Sequence, residues 1–367
     1  MIKILFFIET LKEGGAEKVL CNLVNNMDQT KFDITVQTVW PCDASKYLAP
    51  GIRYKSMYSS MSRANQIRYR AEAESGLAYR LHIKDDYDIE CAYLEMGPTK
   101  VMAASTNKKA KKLAWVHCDL KKKMGDTEAF VKKTADWYRK FDKVICVSED
   151  VRKSFVELFG NTPESVVLYN TINDREILEK SVLPCPVQKR KLTALAIGRL
   201  TEQKGFDRLL KAHHHLQQEG LDYDLWILGE GLEQEALEET IRAYGMQDSV
   251  KLLGFSDNPY VFLRECDLYV CSSRYEGMST TVIESLILGK PIVTTDCTGM
   301  RELLGDSEYG LIVENDENAL YAGMKRLLEA PNLRKNYAEK ALERGNAFSA
   351  SKLVKQTETF FAALLDG

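Results

Sequence analysis

Short apolar runs alternate with amphipathic stretches along the whole chain. Ile2–Ile8 is followed by Ala16–Met27, whose apolar positions recur at helical spacing, and then by Phe32–Val39. Further runs occupy 88–95, 111–119, 143–150 and 165–170, each separated by a helix-like or loop segment. After a charged, proline-containing segment the theme restarts, with runs at 192–200, 224–231, 250–255, 267–273, 290–296 and 310–315. Strands alternating with helices predict parallel sheets wound by right-handed crossovers. Two such series, joined near Ile172–Lys191, predict an α/β chain of two Rossmann-like domains facing each other across a cleft. The boundaries read as 1–171 for the first domain and 172–348 for the second. Residues 349–367 read as a closing helix that packs back toward the first domain.

Composition adds limits. At 367 residues the chain is long enough for two separate cores. Hydrophobic residues make up 45% and charged residues 28%, a globular balance, and a net charge of −3 gives no reason to expect nucleic acid. No apolar run approaches the ~18 residues of a membrane span. Ile2–Glu9 reads as a first buried strand rather than a leader. The nine cysteines lack C-x-x-C spacing, and several sit in apolar strand contexts. They fit free thiols of a reducing, cytoplasmic setting better than disulfides or zinc. His213, His214 and His215 read as surface-helix positions, since consecutive helical residues point apart and cannot share an ion.

Ligands of such sheets lie beyond the carboxyl ends of the strands, so the residues after each run carry the candidate chemistry. The richest segment is Arg274–Asp296. Glu276 and Glu284 bracket a change from loop to helix near Met278–Thr280, with Gly277 removing bulk before the turn. Ser279, Thr280 and Thr281 suit a helix start, while Gly289 and Pro291 end the helix. A helix opening with free N–H groups beside glycine is a ready anion site. After the 192–200 run, Gly198 precedes Arg199 and Lys204, two cations five residues apart that suit a diphosphate. Gly14 and Gly15 open the first helix, where backbone can approach a bound group closely. Gly229 begins a tight turn bordering the same region. His117 ends the 111–119 run, where it can bond a hydroxyl or stabilise charge, with Asp119 too splayed along the strand to orient it well. The pairs Asp86/Asp88 and Asp222/Asp224 stand before strands rather than after them, at the wrong edge for a metal-bound diphosphate. No strand end carries G-x-G-x-x-G, which counts against a nicotinamide-dependent dehydrogenase.

Taken in order, GGAE, Trp-Val-His117, GRLTEQKG, LGEG, LLGF and the Glu276–Glu284 spacing resemble glycosyltransferase family 4, the retaining GT-B transferases of bacterial polysaccharide and glycolipid synthesis. The resemblance covers essentially the whole chain. It implies a nucleotide-diphosphate sugar donor, with UDP-sugar favoured on family frequency, and no metal or other cofactor. Arg199 and Lys204 would clamp the diphosphate, Glu276 would contact the transferred sugar, and Glu284 the ribose. Backbone from Gly277 through Met278 and Ser279 to Thr280 would hold the distal phosphate, and Phe255 would line the base pocket. Gly14, Gly15 and His117 would approach from the first domain. Many members carry an aromatic residue and a proline where this chain has Met278 and Ser279, so the donor sugar is not readable by analogy. A sugar-nucleotide epimerase or hydrolase on the same fold, or a nucleotide-sugar-binding module without turnover, would use the same residues.

The implied acceptor is a glycan or a lipid-linked sugar. Residues 100–153 hold fifteen Lys/Arg against seven Asp/Glu, and Arg63, Arg68 and Arg70 lie nearby. This predicts a basic first domain suited to peripheral contact with an anionic membrane at its inner, cytoplasmic face.

Overall fold

The first series of apolar runs forms a seven-stranded sheet in the computed structural model, which describes residues 1–12, 14–123, 127–161 and 163–366. Its strands are β1 (Ile2–Ile8), β2 (Phe32–Thr38), β3 (Arg53–Ser56), β4 (Ile89–Ala92), β5 (Lys111–Val116), β6 (Lys143–Cys146) and β7 (Glu164–Val167). They lie in the order β3-β2-β1-β4-β5-β6-β7, every ladder parallel. Ile4 to Ile8 are fully buried, because helices cover both faces of a sheet wound this way. The apolar pattern does not predict β3. Its RYKS sequence lacks alternation, and as an edge strand pairing only β2 it buries little.

The second series forms a six-stranded parallel sheet. Its strands are β8 (Thr193–Ile197), β9 (Asp224–Leu228), β10 (Val250–Leu252), β11 (Leu268–Cys271), β12 (Ile292–Thr295) and β13 (Leu311–Val313), in the order β10-β9-β8-β11-β12-β13. Its core gathers Leu209, Leu216, Leu225, Ile227, Val270, Val293 and Met324. Strand order reverses between β8 and β11 here, and between β1 and β4 in the first sheet. At such a switch point the loops on either side part and leave a crevice.

The chain divides into two units: Met1–Ile172 together with the closing helix, and Asn173–Ser349. That closing helix runs Ala350–Asp366, and Gly367 lies outside the described residues. Its Leu353, Val354 and Phe361 recur at helical spacing and are buried. Phe361 packs against Phe6 and Phe32, ring centroids 6.1 and 6.5 Å away, and Glu358 accepts the Asp28 N–H at 2.6 Å.

Within the joining segment, Asp174–Ser181 is a helix, capped by Asn173 on the Glu176 N–H at 3.2 Å and anchored by buried Ile177. One local expectation changes: His213 is not a surface position. It is wholly buried, Nε2 lies 2.9 Å from Ser249 Oγ, and its ring meets Tyr223 edge-on at 4.8 Å. Burial pushes its pKa down to about 3, so it stays neutral in the core. The three-residue run hides this because one of any three consecutive helical positions faces inward.

Candidate functional site

Two loops meet at the switch point of the second unit. One leaves β8 as Gly198–Gly205, the other leaves β11 as Ser272–Glu276. Gly205 holds φ +63°, and a Cβ there would lie 2.3 Å from the Ser272 carbonyl, so only glycine lets the two loops close on each other. The backbone then locks them: Arg274 N–H donates to Gln203 O at 2.7 Å, and Gln203 Nε2 to Tyr275 O at 3.0 Å. Ser272 Oγ donates to Lys204 O at 2.8 Å. Within this frame Lys204 Nζ meets Glu276 Oε1 at 2.6 Å, and Ser273 Oγ donates to the same oxygen at 2.6 Å. Burial pulls the Lys204 pKa down, but the Glu276 charge beside it prevails and raises it above the ordinary lysine value. No described residue bonds Glu276 Oε2, and two of the three Lys204 N–H donors remain available.

Sequence reasoning passed over the residues that brace this pair. Asp207 receives both arms of Arg274, at 2.9 and 2.7 Å, and the same guanidinium donates to Glu202 O at 2.7 Å. Burial raises the Asp207 carboxyl, yet the Arg274 bonds outweigh it and hold its pKa below the usual range. Arg208, 6% exposed, donates to Ser272 O at 2.8 and 2.6 Å and to Asn315 Oδ1 at 2.7 Å. It thereby joins the loops after β11 and β13. Burial, foremost, lowers its pKa. The signal available for Asp207 and Arg274 was their position beside Lys204 and Glu276, but a pairing 67 residues apart in sequence has no local pattern. Arg274→Ala is expected to cost roughly 1 kcal/mol of folding stability, since the pair is partly exposed. It should also weaken nucleoside-diphosphate binding by loosening Lys204. Thermal melts with and without UDP measure both, and an unaltered UDP shift would remove Arg274 from any positioning role.

The helix Thr280–Ile287 starts beside this pair. Its N-cap is Ser279, whose side chain does not cap the backbone; Ser279 Oγ lies instead 3.1 Å from Thr281 Oγ1, which also accepts from Tyr269 OH at 2.8 Å. Positive helix-end charge is thus presented next to Gly277 and the buried Met278. Gly299 sits at φ +83°, and a Cβ there would lie 2.3 Å from the Gly277 carbonyl oxygen, so glycine is required for the close approach to that turn. Glu284, one turn inside, is 1% exposed and accepts from Tyr260 OH at 3.3 Å.

The β9 end lies beside β8, with β10 beyond it. Gly198 N–H donates to Leu228 O at 3.0 Å, Leu200 N–H to Glu230 O at 2.9 Å, and Gly229 N–H to Gly254 O at 2.8 Å. The Lys204 stem lies over Gly198, where a Cβ would stand 3.0 Å from Lys204 Cε. Phe255 follows Gly254 and is 59% exposed, its N–H donating to Glu230 Oε1 at 3.3 Å. Arg199 is exposed and forms no side-chain hydrogen bond or ion pair with a described residue. The structure therefore brings Gly198, Arg199, Lys204, Gly229, Phe255, Glu276–Thr280 and Glu284 onto one edge of one sheet.

The remaining candidates belong to the first unit. Gly15 begins the helix Gly15–Asn26 with Gly14 as its N-cap, and the Glu17 carboxylate folds over Gly14. His117 follows β5, its ring 4.8 Å from that of Tyr93. Burial drives its pKa down to about 4, so it is neutral at physiological pH, and Nε2 is buried without a partner. Asp119 accepts instead from Ser154 Oγ at 2.6 Å, and the carboxylate beside His117 is Glu95, which accepts the His117 N–H. Glu95 ends the β4 run at the switch point. It was readable there, next to Met96, a non-glycine residue at φ +66°. Of the aspartate pairs, Asp88 accepts the Lys3 N–H at 2.8 Å, and buried Asp224 meets Arg190 at 3.3 Å.

Comparison with known proteins follows this geometry. Residues 13–176 match the model described as Glycosyltransferase Family 4, and residues 185–344 that described as Glycosyl transferases group 1. A Campylobacter jejuni relative, the N-acetylgalactosamine-N,N'-diacetylbacillosaminyl-diphospho-undecaprenol 4-alpha-N-acetylgalactosaminyltransferase, is 35% identical over 221 residues, 59% of each chain. The amylovoran biosynthesis glycosyltransferase AmsD of Erwinia amylovora is 31% identical over 170 residues, 46% of this chain and 47% of its own. The first relatives are matched over 59 to 63% of their own length. Among solved structures, Anabaena HepE in complex with UDP-glucose aligns with TM-score 0.78 at 18% identity, covering 99% of this chain and 100% of that one. Sucrose-phosphate synthase from Thermosynechococcus elongatus aligns with TM-score 0.82 at 17% identity, covering 100% of both. With family models matching both units and the fold shared end to end, the chain belongs to glycosyltransferase family 4 and has the GT-B fold of two Rossmann-like units.

Proposed function

We propose that this protein is a retaining, metal-independent glycosyltransferase that moves a sugar from a nucleotide-diphosphate donor, UDP-sugar favoured, to a glycan or lipid-linked acceptor in surface-polysaccharide or glycoconjugate synthesis. The observation that carries the proposal is the Lys204–Glu276 pair, 2.6 Å apart, set beside the side-chain-free N-terminus of the helix Thr280–Ile287. Breaking a sugar–phosphate bond builds negative charge on the leaving diphosphate and positive character on the sugar ring. Lys204, exposed Arg199 and the helix N–H groups meet the first demand with charge already in place. Glu276 Oε2 is the acceptor atom left for a sugar hydroxyl, and Glu284 sits one helical turn further on for the ribose.

Fixed cations in this number support a reaction that needs no divalent metal. Retention follows if the leaving phosphate takes the acceptor proton on the face it vacates, with Glu276 holding the sugar but not attacking it. UDP is favoured because Anabaena HepE was solved with UDP and UDP-glucose. A lipid-diphosphate acceptor is favoured because the Campylobacter relative is named for one.

A thermal-shift panel of UDP, GDP, ADP and their sugars tests the donor, since a ligand specific to the folded state raises the melting temperature by mass action. UDP should stabilise the parent and Glu276→Ala alike, while Glu276→Ala loses the increment contributed by the sugar. No response to any nucleotide would refute the proposal. Release of free sugar or an epimer, at full rate without an acceptor, would favour the hydrolase or epimerase reading.

A further inference from the structure

Large apolar side chains left in water on the first unit are concentrated in one segment. Met61, Ile67, Leu77 and Leu81 are 62, 61, 46 and 45% exposed, whereas between Leu81 and Leu178 no described large hydrophobic residue is exposed. All four lie on or beside the helices Arg63–Glu74 and Ala78–His82, which pack against each other.

The first helix buries Glu72 and Ala73, so Ala64, Ile67 and Ala71, spaced i, i+3, i+7, form an outward apolar stripe. Arg63 and Arg70 flank it on one side and Arg68 on the other. The second helix buries Ala78 and Tyr79 and turns Leu77, Arg80, Leu81 and Lys84 outward. Nearby acids are mostly spent. Glu72 is buried and bonded to Arg68 at 2.6 Å, Tyr58 at 2.6 Å and His82 at 2.7 Å, Glu74 pairs Lys100, and Asp85 pairs Lys55. Asp86 is the one acid of 61–86 without such a partner among the described residues.

This moves the membrane expectation away from 100–153. There Lys121 meets Glu157 at 2.9 Å, Arg139 meets Asp136 at 2.7 Å, Arg152 meets Glu149 at 2.5 Å and Lys143 meets Glu164. Lys108, Lys109, Lys111 and Lys112 form no ion pair with a described residue, but no described large hydrophobic side chain of 100–153 is exposed, so a lipid surface meets charge there without an apolar anchor.

We propose that residues 61–84 are the surface by which the protein rests on an anionic lipid bilayer. Apolar side chains enter the headgroup–acyl boundary, and Arg63 and Arg70 lie among the anionic headgroups, as in an interfacial helix with a basic flank. The proposal rests on the lipid-linked acceptor reading for its purpose: a surface-bound enzyme meets a membrane-confined substrate.

The test is co-sedimentation of the full chain with phosphatidylcholine vesicles, with and without phosphatidylglycerol. Binding is expected only with phosphatidylglycerol. It should be abolished by Ile67→Asp with Leu81→Asp, and weakened about fivefold for each of Arg63→Ala and Arg70→Ala. Lys108→Ala with Lys109→Ala should leave it nearly unchanged. These positions are exposed, and an unaltered melting temperature and UDP shift in each variant confirm that fold and donor site survive. Absence of an anionic preference, or equal release by the Lys108/Lys109 variant, overturns the proposal. So does a fall in sedimentation coefficient of the vesicle-free Ile67→Asp/Leu81→Asp protein, which would make the face a contact between two copies. Vesicle binding by a parent protein that ignores every nucleotide would leave this surface standing and remove the transferase reading instead.

Discussion

Replacing Lys204 by alanine is expected to lower turnover about 10²–10³-fold, the loss typical of removing one preorganised charge donor from a transition state. Two separate effects contribute. The leaving diphosphate loses a cation held in place before reaction. Glu276, 7% exposed, keeps only Ser273 among the described residues as a partner for Oε1 and becomes a buried, poorly compensated carboxylate. Breaking a buried pair from one side costs about 3–5 kcal/mol. The double variant Lys204→Met/Glu276→Gln separates the two effects. It should regain most of the stability, because no charge is stranded, and none of the turnover. Denaturant melts and single-turnover transfer assays read the two quantities independently. An alanine variant turning over within threefold of the parent would end the diphosphate assignment.

Gly229→Ala should be the most damaging single methyl in the second unit. Gly229 sits at φ +142°, and an added Cβ would lie 2.0 Å from the Gly198 carbonyl, a backbone atom that cannot swing aside. Backbone strain and forced overpacking each cost roughly 1–3 kcal/mol, so a loss of about 2–5 kcal/mol is expected. The displacement would be felt at Lys204, whose stem lies over Gly198. Gly220→Ala is the control: φ is +84°, but nothing lies within 4 Å of the new Cβ. It should cost about 1 kcal/mol or less. Equal midpoints for the two variants in urea would mean that the β8 and β9 ends separate freely, contrary to the ladder between them.

The strands of both sheets were legible because a strand buried on both faces must be apolar nearly throughout. That rule gave β1 to the residue and β12 to within two, overran β8 and β9 by three residues at their carboxyl ends, and failed for β3, which is buried on neither face. The loops carrying Arg199, Lys204, Glu276 and Glu284 were legible for a different reason. Strand-end position selects them before any chemistry is considered, and the structure sets Lys204 on Glu276. What stayed hidden was the support. Arg208 reads as one more cation on an amphipathic helix, and only the fold reveals that its partners are carbonyl and amide oxygens at two other strand ends. The apolar–basic face proposed above was hidden in the same way. Lysines can be counted in sequence, but whether each already has a carboxylate, and whether an apolar side chain stands between them, depends on contacts between distant residues.

The helix Ala350–Asp366 has a bearing on biosynthesis. Phe6 leaves the ribosome long before the ring that seals it, Phe361, which emerges only after all of 173–349. Domains usually fold in the order in which they are made. Here the second unit is complete first, while β1 waits with part of its apolar flank uncovered, joined to its cover by contacts of very large sequence separation that form slowly. Nascent chains stalled before residue 350 should therefore be the ones that chaperones hold longest, through the side of the sheet where Phe6 and Phe32 lie.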